Sequence, residues 1–510
     1  MSASPFITAI RRHAAERPRA PALTCAETGL DWAGFAAAVE QAAAAFQRHG
    51  ISPSDRVAIV AAPSLAYVTL FFGGVAAGAC MVPMPNKSGA RTLERLIADC
   101  APRILFVDEP AVETLKDFKA DGATVIALDK TALDSGPTGT LALDDFLAGA
   151  TRAAEPQLSS DLPFNIIYSS GTTGTPKGIV HTSDMRFRQA SRDTFMLDAE
   201  SIMLLATPLY SNTTLLPLLA TVVHGGHVVL MPKFDTDAYL RTAEAVRATH
   251  TMLVPVQYQR IVAHPRFDDF DLSAFVVKQC TSAPLPVEVK RALITRWPGR
   301  FLEVYGLTEG GCTVILDATA HPDKLATVGR PAPGTDIRII DRRGNELRRG
   351  ETGEIVGRSG LMMTGYYGRP EDTKALLWRD REGNVFFRSG DLGAFDQDGF
   401  LRIVGRKKDV VYASDLESVL LQHPAVREAA VIGIPSEVWG ETPWALVVLH
   451  DGRSADADEI RGWVNARLDR MQRLAGVEIR PALPRSEIGK VLKQELRAAH
   501  SMPASMGRER

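Results

Sequence analysis

The stretch YSSGTTGTPKGIVHT, Tyr168 to Thr182, gathers small, hydroxylated and conformationally free residues around one lysine. Gly171, Gly174 and Gly178 permit backbone angles that let the main chain curl close to a ligand. Ser169, Ser170, Thr172, Thr173 and Thr175 supply hydroxyl donors, and Lys177 adds a compact positive charge. Such a cluster can cradle an anion, phosphate above all. Composition alone fits a flexible surface loop equally well, since Gly, Ser and Thr are ordinary turn residues. The common nucleotide loop, G-x-x-x-x-G-K-S/T, does not fit, because Gly178 follows the lysine. A phosphate loop of another kind is the expectation.

Four further stretches carry groups of the same chemistry. EVYGLTEGG, Glu303 to Gly311, reads as a short strand and a turn ending in the carboxylate of Glu309. FRSGDLG sets Asp391 in a tight turn flanked by Gly390 and Gly393. GRKKD follows at Gly405 to Asp409, and LPRSEIGKVLKQEL places Lys490 after Gly489. Taken singly, a Glu after a turn or a Lys near the end of a chain is ordinarily a solvated charge.

The elements that must position these groups alternate between strand and helix, which favours α/β layers. DRVAIVAA and RILFVDE read as strands around the helical RTLERLIADC, and GGHVVLM, TDAYLRTAEAVRATH and TMLVPV form a second strand–helix–strand unit. The most apolar run, Ala66 to Met84, contains Gly73, Gly74, Gly78 and Pro83, so a buried helix running into a strand is expected rather than a membrane span. After about Thr335 the texture becomes β-rich, with two short strands around an Arg-Gly-Asn turn. Beyond about Gly405 a compact αβ piece follows. Its first helix is expected to start with a capping box, Ser414 and Glu417, and a later one presents Ile460, Val464 and Leu468 on one face.

Composition excludes several classes. With 510 residues the chain exceeds one typical domain, and a net charge of −2 argues against nucleic-acid binding driven by bulk charge. The five cysteines show no metal-ligand spacing and read as reduced thiols of a cytoplasmic protein. The N-terminal residues lack the apolar core of a secretory signal.

In this order the five motifs resemble the superfamily of adenylate-forming enzymes, which includes acyl-CoA synthetases, luciferases and the adenylation domains of peptide synthetases; the pattern is closest to acyl-CoA synthetases. The resemblance runs from about Phe6 to about Leu496. It implies an α/β fold with a large N-terminal domain over 1–404, built of layered α/β subdomains plus a β-rich subdomain, and a small mobile α+β domain over 405–510. It also implies roles. Thr172, Thr173, Gly174 and Lys177 would hold the β- and γ-phosphates of ATP, and Tyr305 would pack on the adenine. Thr308 would touch the α-phosphate and Glu309 would hold Mg²⁺. Asp391 would take the ribose hydroxyls and Arg406 the ribose and phosphate region. Lys490 would bridge the attacking carboxylate and the α-phosphate, and Lys408 would be the hinge about which the small domain turns for the thiol step.

The acid would lie along ATPLYSNTTLLPLL, where Tyr210, Ser211 and Asn212 are expected to face it, with Gln257, Ser282 and Gly310 completing the wall. For Asn212 and Gln257, local backbone capping is an equally good reading. The segment has no acidic residue to pair a substrate ammonium, so an α-amino acid is not expected. A fatty, alicyclic or aromatic acid is. The implied reaction joins that acid to CoA with ATP, with a homodimer as one expected assembly, no nucleic-acid partner and no transmembrane segment. Two alternatives are a ligase that loads a carrier-protein thiol and a nucleotide-binding regulator without catalysis. One departure stands out: GRKKDVV runs straight into YASDLESVL, without the Gly-rich loop that family members carry there and that lines the pantetheine tunnel.

Overall fold

The computed structural model describes residues 4–116, 118, 122–136, 139–150, 153–154, 156–169, 177–341, 343–406, 413–436, 440–468 and 473–501. Contacts divide the chain into two units, Met1–Leu325 with Ser359–Leu376, and Ala326–Arg358 with Leu377–Arg510.

The first unit holds two large sheets. One runs Leu141–Ala142, Thr124–Ala127, Ile104–Val107, Arg56–Val60, Cys80–Met84, Pro163–Ser169, Lys177–Thr182 and Gly365–Tyr366. Its strands are parallel as far as Pro163–Ser169, after which Lys177–Thr182 turns back antiparallel, with Ser169 opposite Lys177. Gly365–Tyr366 then adds to Lys177–Thr182, Tyr366 opposite Ile179. In the other sheet the strands Pro21–Cys25, His227–Leu230, Ile202–Leu205, His250–Leu253, Val277–Cys280 and Arg300–Tyr305 lie parallel in that order.

One hydrophobic cluster joins both sheets through the helices Pro5–Glu16, Trp32–Arg48, Leu65–Ala77 and Asn212–His224. Fully buried Phe6, Phe35, Phe46, Phe71 and Phe72 anchor it, each worth about 1.5–3 kcal/mol of burial. The apolar run read from sequence as helix then strand is Leu65–Ala77 followed by Cys80–Met84. Ser64 caps that helix by accepting from the Tyr67 N–H, and Gly78 ends it at φ +85°. Gly73 and Gly74 are there for close packing: a Cβ would meet Ala42 Cβ at 2.4 Å and Met81 Sδ at 2.3 Å. Among the described residues, no helix is long and apolar enough to cross a membrane.

The second unit contains a β-rich part, with Thr335–Ile340, Gly353–Ser359, Val385–Phe395 and Leu377–Arg379 as neighbours and Leu401–Arg406 paired to Val385–Phe395. The expected Arg-Gly-Asn turn is present, with Gly344 at φ +86° and the Asp341 carboxylate accepting from the Arg343 and Asn345 N–H groups. The other part packs Ala413–Leu420, Ala457–Asn465 and Lys493–Ser501 with the strands Val426–Ser436, Gly440–Leu449 and Gly476–Ile479. The break expected at residue 405 falls within the strand Leu401–Arg406, inside this unit.

Two local expectations need correction. Ser414 does not open its helix, which already begins at Ala413; Glu417 instead accepts from the Val431 N–H at 2.7 Å and pairs with Lys493 at 2.7 Å. The capping box belongs to Asp456 and Glu459 on the next helix. Asp391 is not in a tight turn either. It lies in the eleven-residue strand Val385–Phe395, opposite Arg406, beside Gly390 at φ +69°. A left-handed glycine there bends the strand without ending it.

Candidate active site

Lys177 is set by register. As the first residue of its strand it directly follows the glycine-rich stretch of sequence and is held opposite Ser169. Its Nζ donates to Asp372 Oδ1 at 3.0 Å and stands 4.9 Å from the centre of the Tyr366 ring. Tyr366 in turn donates its hydroxyl to Glu309 Oε1 at 2.8 Å. Burial and the Glu309 charge both push the Tyr366 phenol upward, so it remains a donor. One short segment, 366–372, therefore touches both the lysine that the resemblance gives to the phosphates and the carboxylate it gives to Mg²⁺.

That segment is itself anchored. Arg369 donates to Asp99 at 3.2 Å, and Asp99 accepts from the Tyr168 hydroxyl at 2.6 Å. The Met363 N–H donates to the Glu309 carbonyl at 2.8 Å. Gly310 adopts φ +79°, and a Cβ there would lie 1.9 Å from the Leu361 carbonyl oxygen. Only glycine fits, so Gly310 shapes the turn by its backbone.

Thr308 is fixed from behind. The His181 ring, wholly buried, contacts the Thr308 carbonyl through Nε2 at 2.7 Å. On its other side Nδ1 meets Arg186 at 3.0 Å and Asn165 at 3.3 Å. Burial and then the Arg186 charge hold this histidine well below its usual range, so it is neutral.

The segment expected to face the acid is a capped helix start. Ser211 caps Asn212–His224 by accepting from the Thr213 N–H, and Asn212 Oδ1 accepts from Arg186 at 2.7 Å. Thr213 and Ser282 share a hydroxyl–hydroxyl bond of 2.7 Å, and Ser282 adopts φ +84°, a conformation that non-glycine residues hold only under local constraint. Tyr210 is half-buried next to the cap. Gln257 takes the backbone-capping alternative: its carboxamide accepts from the Val254 N–H and donates to the Ala206 carbonyl at 2.9 Å, and the residue is buried. Both ends serve the backbone, so Gln257 braces the turn between the strand and its helix.

Tyr305 ends the strand Arg300–Tyr305, half-buried before the Thr308 turn. In the second unit Asp391 is buried, its N–H donating to Ser389 Oγ at 3.0 Å. Arg406 is the strand residue paired with it. Lys490 sits at a turn in which Gly489 has φ +77° and the Lys490 N–H donates to Ser486 Oγ at 3.2 Å. Thr172, Thr173, Gly174 and Lys408 lie outside the described residues.

Sequence reading missed Asp372, Tyr366, His181, Arg186 and Asn165. The last offered a signal: an asparagine inside the apolar run Phe164 to Ile167 asks for a buried polar partner. The others gave none, because what each does depends on at least one partner remote in sequence.

Comparison with known proteins follows the same lines. Residues 10–367 match the model of the AMP-binding enzyme family, and residues 415–490 that of the AMP-binding enzyme C-terminal domain. A feruloyl-CoA synthase from Amycolatopsis sp is 33% identical over 504 residues, covering 95% of this chain and 97% of that protein. Among solved structures, ATP-bound MatB from Rhodopseudomonas palustris superposes with a TM-score of 0.88 at 29% identity, covering 98% of this chain and 99% of the other. The amide bond synthetase McbA from Marinactinospora thermotolerans superposes with a TM-score of 0.85 at 28% identity, covering 97% and 100%.

Proposed function

Because the chain belongs to the AMP-binding enzyme family, we propose that it is an AMP-forming acid–CoA ligase acting through an acyl-adenylate. The observation that carries this reading is the joining of Lys177 and Glu309 through Tyr366 on one short segment. A cation for phosphate oxygens and a carboxylate for a hard metal ion stand side by side there.

The chemistry asks for these groups. A carboxylate acylates poorly because its leaving group would be oxide; attack on the α-phosphorus of ATP converts that oxygen into part of AMP and releases pyrophosphate. The protein's part is positioning and neutralising charge that spreads over phosphate oxygens. Lys177, with the hydroxyls of Thr172 and Thr173 and the backbone of Gly174, holds the β- and γ-phosphates, Thr308 the α-phosphate, and Tyr305 the adenine. Asp391 and Arg406 take the ribose. Lys490 supplies positive charge between the two reacting groups.

Mg²⁺ fits this set only as a companion of the nucleotide. Among the described residues no group of three or more His, Cys, Asp or Glu side chains could hold a metal. Glu309 offers a single carboxylate, one oxygen of which already accepts from Tyr366. One carboxylate completed by phosphate oxygens and water is an ordinary Mg²⁺ site, where the ion supplies charge neutralisation on the phosphates.

In this reading residues 1–404 bind ATP and acid, and residues 405–510 turn about Lys408 to deliver Lys490 and then clear the way for the thiol. The acid is aromatic or otherwise apolar. A neutral segment around Tyr210, Ser211 and Ser282 and the likeness to a feruloyl-CoA synthase support that class. A panel of aromatic, alicyclic and fatty acids, assayed for AMP release with and without CoA, tests it. AMP release with none of them would overturn the class.

A second reading changes only the acceptor: a carrier-protein thiol or an amine takes the acyl group in place of CoA. The missing Gly-rich loop between Val411 and Tyr412 and the likeness to an amide bond synthetase favour it. Acyl-adenylate that accumulates in the presence of CoA, and drains when a Ser-Gly-Gly loop is inserted after Val411 or when an amine or carrier protein is added, would select this reading. Rapid thioester formation by the native chain would reject it.

A further inference from the structure

We propose that Arg186 is a positioning residue that couples the acid segment to the nucleotide turn, acting through the tautomer of His181; this rests on the adenylate-forming reading above. Arg186 is fully buried, and among the described residues it makes no ion pair with a carboxylate. Its bonds all go to neutral acceptors: Nε to Asn165 Oδ1 at 2.8 Å, one terminal nitrogen to Asn212 Oδ1 at 2.7 Å and Gln189 Oε1 at 2.9 Å, the other to His181 Nδ1 at 3.0 Å. A buried guanidinium with only neutral partners among the described residues is costly, and a chain needing only shape and packing there would do better with an apolar side chain.

The bond to His181 has a definite consequence. A guanidinium can only donate, so His181 Nδ1 must present its lone pair. The Asn165 amide nitrogen points at the same atom, which requires the same lone pair. The single ring proton is thereby forced onto Nε2, where it donates to the Thr308 carbonyl at 2.7 Å. A tautomer with the proton on Nδ1 would set donor against donor at Arg186 and lone pair against lone pair at Thr308. The guanidinium thus determines the hydrogen bond made on the far side of the imidazole.

The result is a continuous chain, Asn212 to Arg186 to His181 to Thr308. Asn212 opens the helix of the acid segment, and Thr308 precedes the proposed metal ligand. The Glu309 carbonyl is held independently by the Met363 N–H, so consecutive carbonyls of the turn are both pinned. The planar fork of arginine is suited to this because one group fixes several partners at set angles, which a lysine cannot reproduce. A shift in the acid segment therefore reaches the nucleotide turn through bonded side chains.

The test uses the full-length protein, ATP titration by calorimetry without acid, and acid-dependent ATP–pyrophosphate exchange. Arg186→Met and Arg186→Lys are compared with His181→Phe, which removes the donor to Thr308, and His181→Gln, which retains an amide donor there. Arg186→Met and His181→Phe should each lower the exchange kcat by about tenfold or more, since sub-ångström misplacement is enough for that. The KM values for acid and ATP should rise together, and the double variant should be no worse than either single one. His181→Gln should recover most of the rate that His181→Phe loses. Additive losses in the double variant, equal rates for His181→Gln and His181→Phe, or an Arg186→Met protein with unchanged kcat and KM would each overturn the role. If Arg186→Met does not fold, the Gln and Phe pair at His181 decides it alone. Wild-type protein that binds no ATP would overturn the adenylation reading itself, and the calorimetric arm separates that outcome from the others.

Discussion

Asp372 Oδ1 lies 3.0 Å from Lys177 Nζ, across 195 residues of chain, and it occupies the cation proposed for the triphosphate. Lys177 is largely buried, with a side-chain exposure of 20%, whereas Asp372 is 42% exposed and can swing into water. If Lys177 holds the triphosphate as proposed, this carboxylate is a counter-ion that a phosphate oxygen must displace.

Replacing Asp372 by Asn should make ATP bind more tightly. A half-exposed ion pair is worth about 0.2–1 kcal/mol, so the KM for ATP should fall by up to about fivefold with little change in kcat. Steady-state kinetics at low and moderate salt would check it. A raised KM would mean that Asp372 orients the lysine rather than competing for it.

Lys490→Ala should separate the two half-reactions. The turn that presents this lysine is held by backbone bonds between Ser486 and residues 489 and 490, so the substitution removes charge without disturbing the scaffold. Adenylation should drop by about a hundredfold or more, while transfer from supplied acyl-adenylate is largely retained. Equal loss in both assays would count against one domain face serving each step.

Glu309→Gln keeps shape and still accepts from the Tyr366 hydroxyl but removes the charge offered to Mg²⁺. The Mg²⁺ concentration supporting half-maximal nucleotide binding should rise severalfold, with thermal stability nearly unchanged. Calorimetric titration of ATP at several Mg²⁺ concentrations reads this directly. No change in Mg²⁺ dependence would remove Glu309 from the metal's surroundings.

Stability should decline on the acid side for a reason located in the second sheet. His250 is 2% exposed, and burial pushes its pKa down to about 4 from 6.5. As pH falls below 6.5 the unfolded chain takes up a proton that the folded chain refuses until about pH 4. The native state loses roughly 3 kcal/mol across that window. His13 and His227 are lowered by burial as well and act in the same direction. Denaturant melts between pH 7 and pH 4 should show His250→Leu with a shallower slope than wild type, whatever its stability at pH 7. Parallel slopes would mean that this histidine is not the titrating group.

The sequence by itself determined the local grammar of this protein: a strand, a glycine-rich loop and Lys177; a strand and a turn at Glu309; a helix of small and apolar residues from Leu65 passing into Cys80–Met84. Those readings rest on periodicity and on residues such as Gly78 whose backbone preference acts within a few positions. The family, too, was legible, because its motifs are short and fixed in order. The tertiary structure decided what touches those motifs. Tyr366 and Asp372 reach Lys177 and Glu309 only because Gly365–Tyr366 adds a strand beside Ile179 and Val180. His181 meets Thr308 across 127 residues, and Arg186 finds Asn212 only once the helices that carry them pack together. Asp391 looked like a turn residue because two glycines flank it, yet pairing with Leu401–Arg406 carries the strand straight through. For Gln257 the sequence left ligand contact and backbone capping open, and the Val254 N–H and the Ala206 carbonyl take the two ends of its amide. In each case the outcome turned on which groups the fold brings within bonding distance, and periodicity holds no record of that.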